Sequence, residues 1–165
     1  MLLQVQFPNE TATPYPAMTD FFRTFGEEAS SLYLLSFLLT ADHDKAQQCL
    51  ISAVGECVDG IGVFMDWGRS RTRTAIARCA IQMIMPVPGH ADRMTVINLE
   101  RSAGPPDNNP FAAILLLDAF ERFVFVLSIL EGRSGDECAN LLGCSRRDVM
   151  LARVLALQSS MGAQA

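Results

Sequence analysis

The chain has 165 residues, half of them hydrophobic and 19% charged. That is enough apolar surface for one domain or two small ones and too hydrophobic for a disordered chain. The formal net charge of −5 argues against a protein that coats nucleic acid through bulk charge, but it leaves room for a local basic patch. Charge is segregated: residues 1–66 hold nine acids and two bases, residues 67–112 six arginines and three acids, and residues 113–165 five arginines and six acids. Lys45 is the only lysine, so the cations are almost all arginine, whose planar fork fits phosphate.

Residues 1–18 carry Pro8, Pro14 and Pro16 and read as an irregular arm. This start has no basic run leading into an apolar stretch, so no signal peptide is expected. A helix is predicted over 20–39, where Leu32, Leu35, Leu38 and Leu39 recur at helical spacing. Residues 41–44 break it, and Asp42 is a fair N-cap for a second helix over 43–64, weakened by Gly55, Gly60 and Gly62. A third helix over 70–85 carries Ile76, Ala80, Met83 and Ile84 on its apolar face, and Pro86 and Pro88 close it. Residues 86–110, with five prolines and two glycines, read as a linker holding at most a short strand or turn at 94–99. Helices are then predicted over 112–130, 134–142 and 145–158. The most apolar stretch, residues 114–130, contains Asp118, Glu121 and Arg122 and is too short and polar to span a membrane. The expected fold is all-α: two small helical domains, 19–85 and 111–165, joined by the Pro/Gly-rich linker.

Catalytic and metal chemistry find little support. The cysteines, Cys49, Cys57, Cys79, Cys138 and Cys144, are odd in number and lack a Cys-x-x-Cys pair, so they read as small buried hydrophobes in a reducing cytoplasm. His43 and His90 are far apart and without cysteine or histidine partners at ligand spacing. Asp42 and Asp44 read as a helix cap and a solvated acid. There is no phosphate-binding glycine loop and no nucleophile elbow. The expectation is a protein that is not an enzyme, with no cofactor, no metal and no small-molecule substrate.

The most informative segment is residues 131–158, EGRSGDECANLLGCSRRDVMLARVLALQ. Ser134 and Glu137 form one capping box, and Ser145 and Asp148 a second. Gly143 between them is free to take positive φ. Two short capped helices joined at a glycine suit a helix-turn-helix, with small Ala139 allowing close approach and Val149 pointing into the core. By periodicity alone, an ordinary helical hairpin fits as well.

Residues 117–156 resemble region four of bacterial sigma factors, whose typical run is LPxxxRxVFxLRxLEGLSYxEIAxLLGxSxGTVKSRLxRA. The matching residues are Leu117, Arg122, Val124, Phe125, Leu127, Leu130, Glu131, Gly132, Ser134, Glu137, Ala139, Leu141, Leu142, Gly143, Ser145 and Val149. Leu39-Thr40-Ala41-Asp42 with Ala46, and Ile76-Ala77-Arg78, resemble parts of sigma region two. Together these look like a divergent sigma factor of the extracytoplasmic-function class. That resemblance implies core RNA polymerase and promoter DNA as partners, allows an anti-sigma factor, and implies a cytoplasmic protein without a membrane segment.

The departures lie at expected contacts. Gln47, Gln48, Ile51 and Ser52 replace the acids and glutamine that meet polymerase in the family. Met150 and Ala152 stand where basic residues usually meet DNA, leaving Arg146, Arg147 and Arg153 as the expected contacts. A second cluster, Trp67, Arg69, Arg71 and Arg73 with Arg78 beyond, lies where the family holds single-stranded promoter, and an aromatic beside arginines suits base stacking. The residues alone fit a solvated helix start with Trp67 in the core better, because an alternating Arg-Ser-Arg-Thr-Arg run splays its charges around a helix. The alternative to an initiation factor is a sigma-derived interaction module without initiation activity.

Overall fold

The computed structural model describes residues 16–59, 65–89 and 111–162. Among these there are seven α-helices and no strand: α1 (Pro16–Thr40), α2 (His43–Asp59), α3 (Met65–Ile84), α4 (Ala112–Leu115), α5 (Ala119–Phe125), α6 (Gly135–Leu142) and α7 (Arg146–Gly162). Most of the expected N-terminal arm, the 60–64 end of the second predicted helix, and residues 90–110 of the linker with its 94–99 segment lie outside the described residues.

α1 begins at Pro16, inside the stretch expected to be irregular; proline suits a first helical position because its missing N–H has no partner there anyway. Leu32, Leu35, Leu38 and Leu39 are buried as their spacing requires. α1 stops where Ala41 takes positive φ and Asp42 turns to cap α2, its Oδ1 accepting from Lys45 N at 3.0 Å. Gly55 does not interrupt α2. Its buried stripe is built from small residues, Ala46, Cys49, Ala53 and Cys57, so α3 can approach closely: Cys49 Sγ donates to Ile76 O at 3.2 Å, and Cys57 Sγ lies 3.4 Å from Thr72 Oγ1. α3 starts at Met65, earlier than its apolar pattern suggests.

The helix predicted over 112–130 is broken. Asp118 adopts an extended backbone and caps α5 by accepting from Phe120 N; an aspartate that bonds the backbone ahead of it favours a new start over helix continuation. Beyond α5, Val126–Leu130 form a π-helical turn, in which Glu131 N donates to Val126 O and Arg133 N to Leu127 O. Phe120, Phe123, Val124 and Leu127 pack with Val149, Ala152 and Ala156 of α7, and the buried residues of α1–α3 join them in one continuous hydrophobic cluster.

Arg122, only 7% exposed, joins the two groups of helices. Its Nε donates to Leu39 O near the end of α1 at 3.4 Å, and its Nη1 to Leu117 O at 3.2 Å. Burial lowers its pKa from the ordinary arginine value. Arg122→Ala removes the packed stem and leaves two buried carbonyls unpaired, a loss expected to cost roughly 2–4 kcal/mol. Urea unfolding monitored by circular dichroism checks this: a midpoint equal to that of wild type contradicts the role assigned to Arg122.

Candidate functional site

The α6–α7 pair is built by local hydrogen bonds. Ser134 sits extended at the start of α6; its Oγ accepts from Glu137 N at 3.2 Å, and Glu137 Oε2 accepts from Ser134 N at 2.8 Å. Gly143 ends α6 in the left-handed region, φ 64° and ψ 34°, a conformation any Cβ would strain. Cys144 N then donates to Ala139 O at 3.1 Å. The second capping box is complete as well: Asp148 Oδ2 accepts from Ser145 N at 3.1 Å, and Ser145 Oγ accepts from Asp148 N at 3.2 Å. Val149 is buried, as its place in the pattern requires.

Arg146 and Arg147 occupy the exposed first turn of α7, where unsatisfied N–H groups favour anions. Arg146 Nη1 lies 3.5 Å from Asp136 Oδ1, a pair so exposed that it holds the arginine only weakly. Arg153 is exposed farther along. Asp148 is committed to the cap, its Oδ2 accepting from both Ser145 N and Ser145 Oγ. The remainder of the outer surface of α7 is apolar: Met150 is 61% exposed, Leu151 54% and Val154 53%, with Leu155 and Leu157 also open. Of these, the family comparison of residues singles out only Met150. The signal was present, because apolar residues between 149 and 157 fall on both sides of a 3.6-residue helix.

The cluster expected on α3 is divided. Arg71 and Arg78, one face of the helix, are exposed and line a groove of about 320 Å³ with Glu56, Cys57, Ser70, Thr74 and Ala75. Arg73 lies farther round α3 and is tied down: its Nε and Nη2 donate to the two carboxylate oxygens of Glu131 at 2.7 and 2.8 Å, and its Nη1 to Ser31 Oγ at 3.2 Å. Hydrogen bonding to Glu131 raises the Arg73 pKa above the ordinary value. Next to this pair, Arg133 Nη2 donates to Thr74 Oγ1 at 2.8 Å, while Arg133 Nε is buried without a partner among the described residues. Trp67 and Arg69 belong to the backbone of α3, but their side chains lie outside the described residues. Gln47, Gln48, Ile51 and Ser52 are exposed along α2.

The cysteines are unbridged. Burial pushes the Cys49 thiol up to about 12 and raises Cys138 and Cys144 as well, the opposite of what a nucleophilic thiolate needs. Among the described residues no three His, Cys, Asp or Glu side chains are grouped to hold a metal, and no helix is long and apolar enough to cross a membrane. No family model and no curated protein matches the chain.

Two measurements probe the α6–α7 geometry. Ser134→Ala and Gly143→Ala should each destabilise the protein by about 1 kcal/mol, the first through a lost cap and the second through strain at positive φ. The Ser134 N–H bond holds Glu137 below the ordinary glutamate range. A carboxylate depressed by folding contributes stability above its unfolded pKa and loses it as pH falls through the folded value. The protection of the Ser134 amide, its exchange rate relative to an unstructured peptide at the same pH, should therefore fall only below the ordinary carboxylate range, and Glu137→Gln should flatten that step.

Proposed function

We propose that this chain is a sigma-like transcription factor in which α6 and α7 form a helix-turn-helix and α1–α3 the second recognition unit. The observation that carries this reading is the doubly capped α6–Gly143–α7 pair with Arg146 and Arg147 in the first turn of its second helix. In helix-turn-helix proteins, the residues near that end are the ones that reach base edges in the major groove, and two arginines in a helix N-terminal field suit phosphate or guanine. Arg153, farther along, suits backbone contact. The groove holding Arg71 and Arg78 is the matching basic element on α3. Core RNA polymerase is the expected protein partner, met through the exposed row on α2.

A second reading is favoured by the outer face of α7. Met150, Leu151, Val154 and Leu155 are more apolar than a DNA-facing surface needs, and contiguous exposed apolar groups mark protein contacts. On this reading the chain is a sigma-derived interaction module without initiation activity.

The readings separate in a salt titration on promoter and random duplexes. Replacing Arg146 and Arg147 together by alanine should weaken binding and flatten its dependence on salt, at roughly 1–3 kcal/mol for a base-reading arginine and about one unit of salt slope for each phosphate contact. Wild-type protein that yields run-off transcript with core polymerase supports initiation. Protein with no salt-dependent affinity for either duplex, and no association with core polymerase, is an interaction module.

A further inference from the structure

Among the arginines expected to meet nucleic acid, Arg73 commits three N–H donors of its guanidinium within the chain, two to Glu131 and one to Ser31. A carboxylate and a phosphate offer an arginine fork the same pair of oxygen acceptors. We propose that Glu131 is an internal phosphate mimic: it occupies on Arg73 the place of a nucleic-acid phosphate, so that seating of the 131–134 turn on α3 and nucleic-acid binding at Arg73 exclude each other. This rests on the nucleic-acid reading of α3 given above.

The local backbone presents Glu131 for this role. The π-helical turn over Val126–Leu130 and the positive φ of Gly132 bend the chain. As a result, both Glu131 and Arg133, two residues apart, reach α3, one at Arg73 and the other at Thr74. A regular helix would send residues two apart to nearly opposite sides. The Glu131 side chain is only 10% exposed and that of Arg73 28%, and the Nε and Nη2 donors of the fork are already taken by Glu131 while the turn is seated. The seating is also imperfect, since it buries Arg133 Nε with no partner among the described residues. Thr74, held by Arg133 on one side, lines the Arg71 and Arg78 groove on the other. The groove thus borders the seated turn through Thr74, while the Arg73 fork beside it is already occupied by the Glu131 carboxylate.

The test is fluorescence anisotropy of a mixed-sequence single-stranded oligonucleotide with full-length wild type, Glu131→Gln and the Arg73→Ala/Glu131→Gln double variant, each across a range of salt. Glu131→Gln should bind roughly three- to tenfold tighter, with a salt slope steeper by about 0.7, the increment of one additional phosphate contact on a single strand. The double variant should lose that gain. Equal affinity of wild type and folded Glu131→Gln overturns the proposal while leaving the nucleic-acid reading intact. A gain that survives removal of Arg73 also overturns it, because general charge repulsion then accounts for the effect. Absence of binding by every protein at low salt removes the nucleic-acid reading and this proposal with it. If Glu131→Gln does not fold, Glu131→Asp, which withdraws the carboxylate by one methylene, carries the same expectation in smaller degree.

Discussion

A buried positive charge held by hydrogen bonds to main-chain oxygens fixes how the N-terminal and C-terminal helices meet. Arg122 lies inside the core, and among the described residues its guanidinium bonds to the carbonyls of Leu39 and Leu117. Withdrawing a guanidinium from water is costly unless hydrogen bonds replace its hydration. The last turn of a helix supplies what is needed: carbonyls without helical partners and a negative field. α1 provides both at Leu39, so α5 cannot bury Arg122 without α1 beside it. Once the end of α1 is set against α5, Ser31, Arg73 and Thr74 come to face Glu131 and Arg133, and the polar seam between the two groups of helices follows.

α7 carries two demands that oppose each other. Its inner side, Val149, Ala152 and Ala156, is buried and small, which lets α5 and α6 pack closely. Its outer side combines Arg146, Arg147 and Arg153 with a row of exposed apolar residues. A helix apolar on both sides is ordinarily covered on both. The arginines favour an anionic surface and the apolar row a dry one, and no single flat duplex face satisfies both. Arg146 and Arg147 lie in the first turn while Arg153 stands beside Val154 and Leu155 farther along, so the two demands are only partly separated along the helix axis.

Features decided within a few residues were legible in the sequence. Both capping boxes, the left-handed Gly143 and the Asp42 cap depend on side chains bonding their immediate neighbours, and the structure forms each of them. The break at Asp118 was equally local but was masked by the long apolar run around it, which reads as continuous helix. Arg73 and Glu131 are a different case. They are 58 positions apart, and nothing near either residue signals the other; the pairing exists because Arg122 and the shared core bring α3 to the 131–134 turn. Locally Arg73 belongs to an alternating arginine run, and only the global packing pairs it with Glu131. The exposed face of α7 shows the same limit, since apolar periodicity identifies residues to be covered without saying which helix covers them.

The chemistry of the contacts indicates where the molecule separates most easily. Within α1–α3 the helices meet through small apolar side chains and sulfur-to-carbonyl contacts such as Cys49 to Ile76, and within α5–α7 through Phe123, Val124 and Val149. Exposing either set returns apolar surface to water with nothing gained in exchange. Between the groups, much of the contact is polar: Arg73 with Glu131 and Ser31, Arg133 with Thr74, and Arg122 with Leu39. Water can replace each of those bonds, and on opening the unpaired Arg133 Nε regains a partner. Arg122 resists separation most, because its charge is the most deeply buried of the three and the Leu39 carbonyl is one of its two partners. An anion that competes for Arg73 therefore acts at the weaker end of the seam, while Arg122 sets how far the opening spreads.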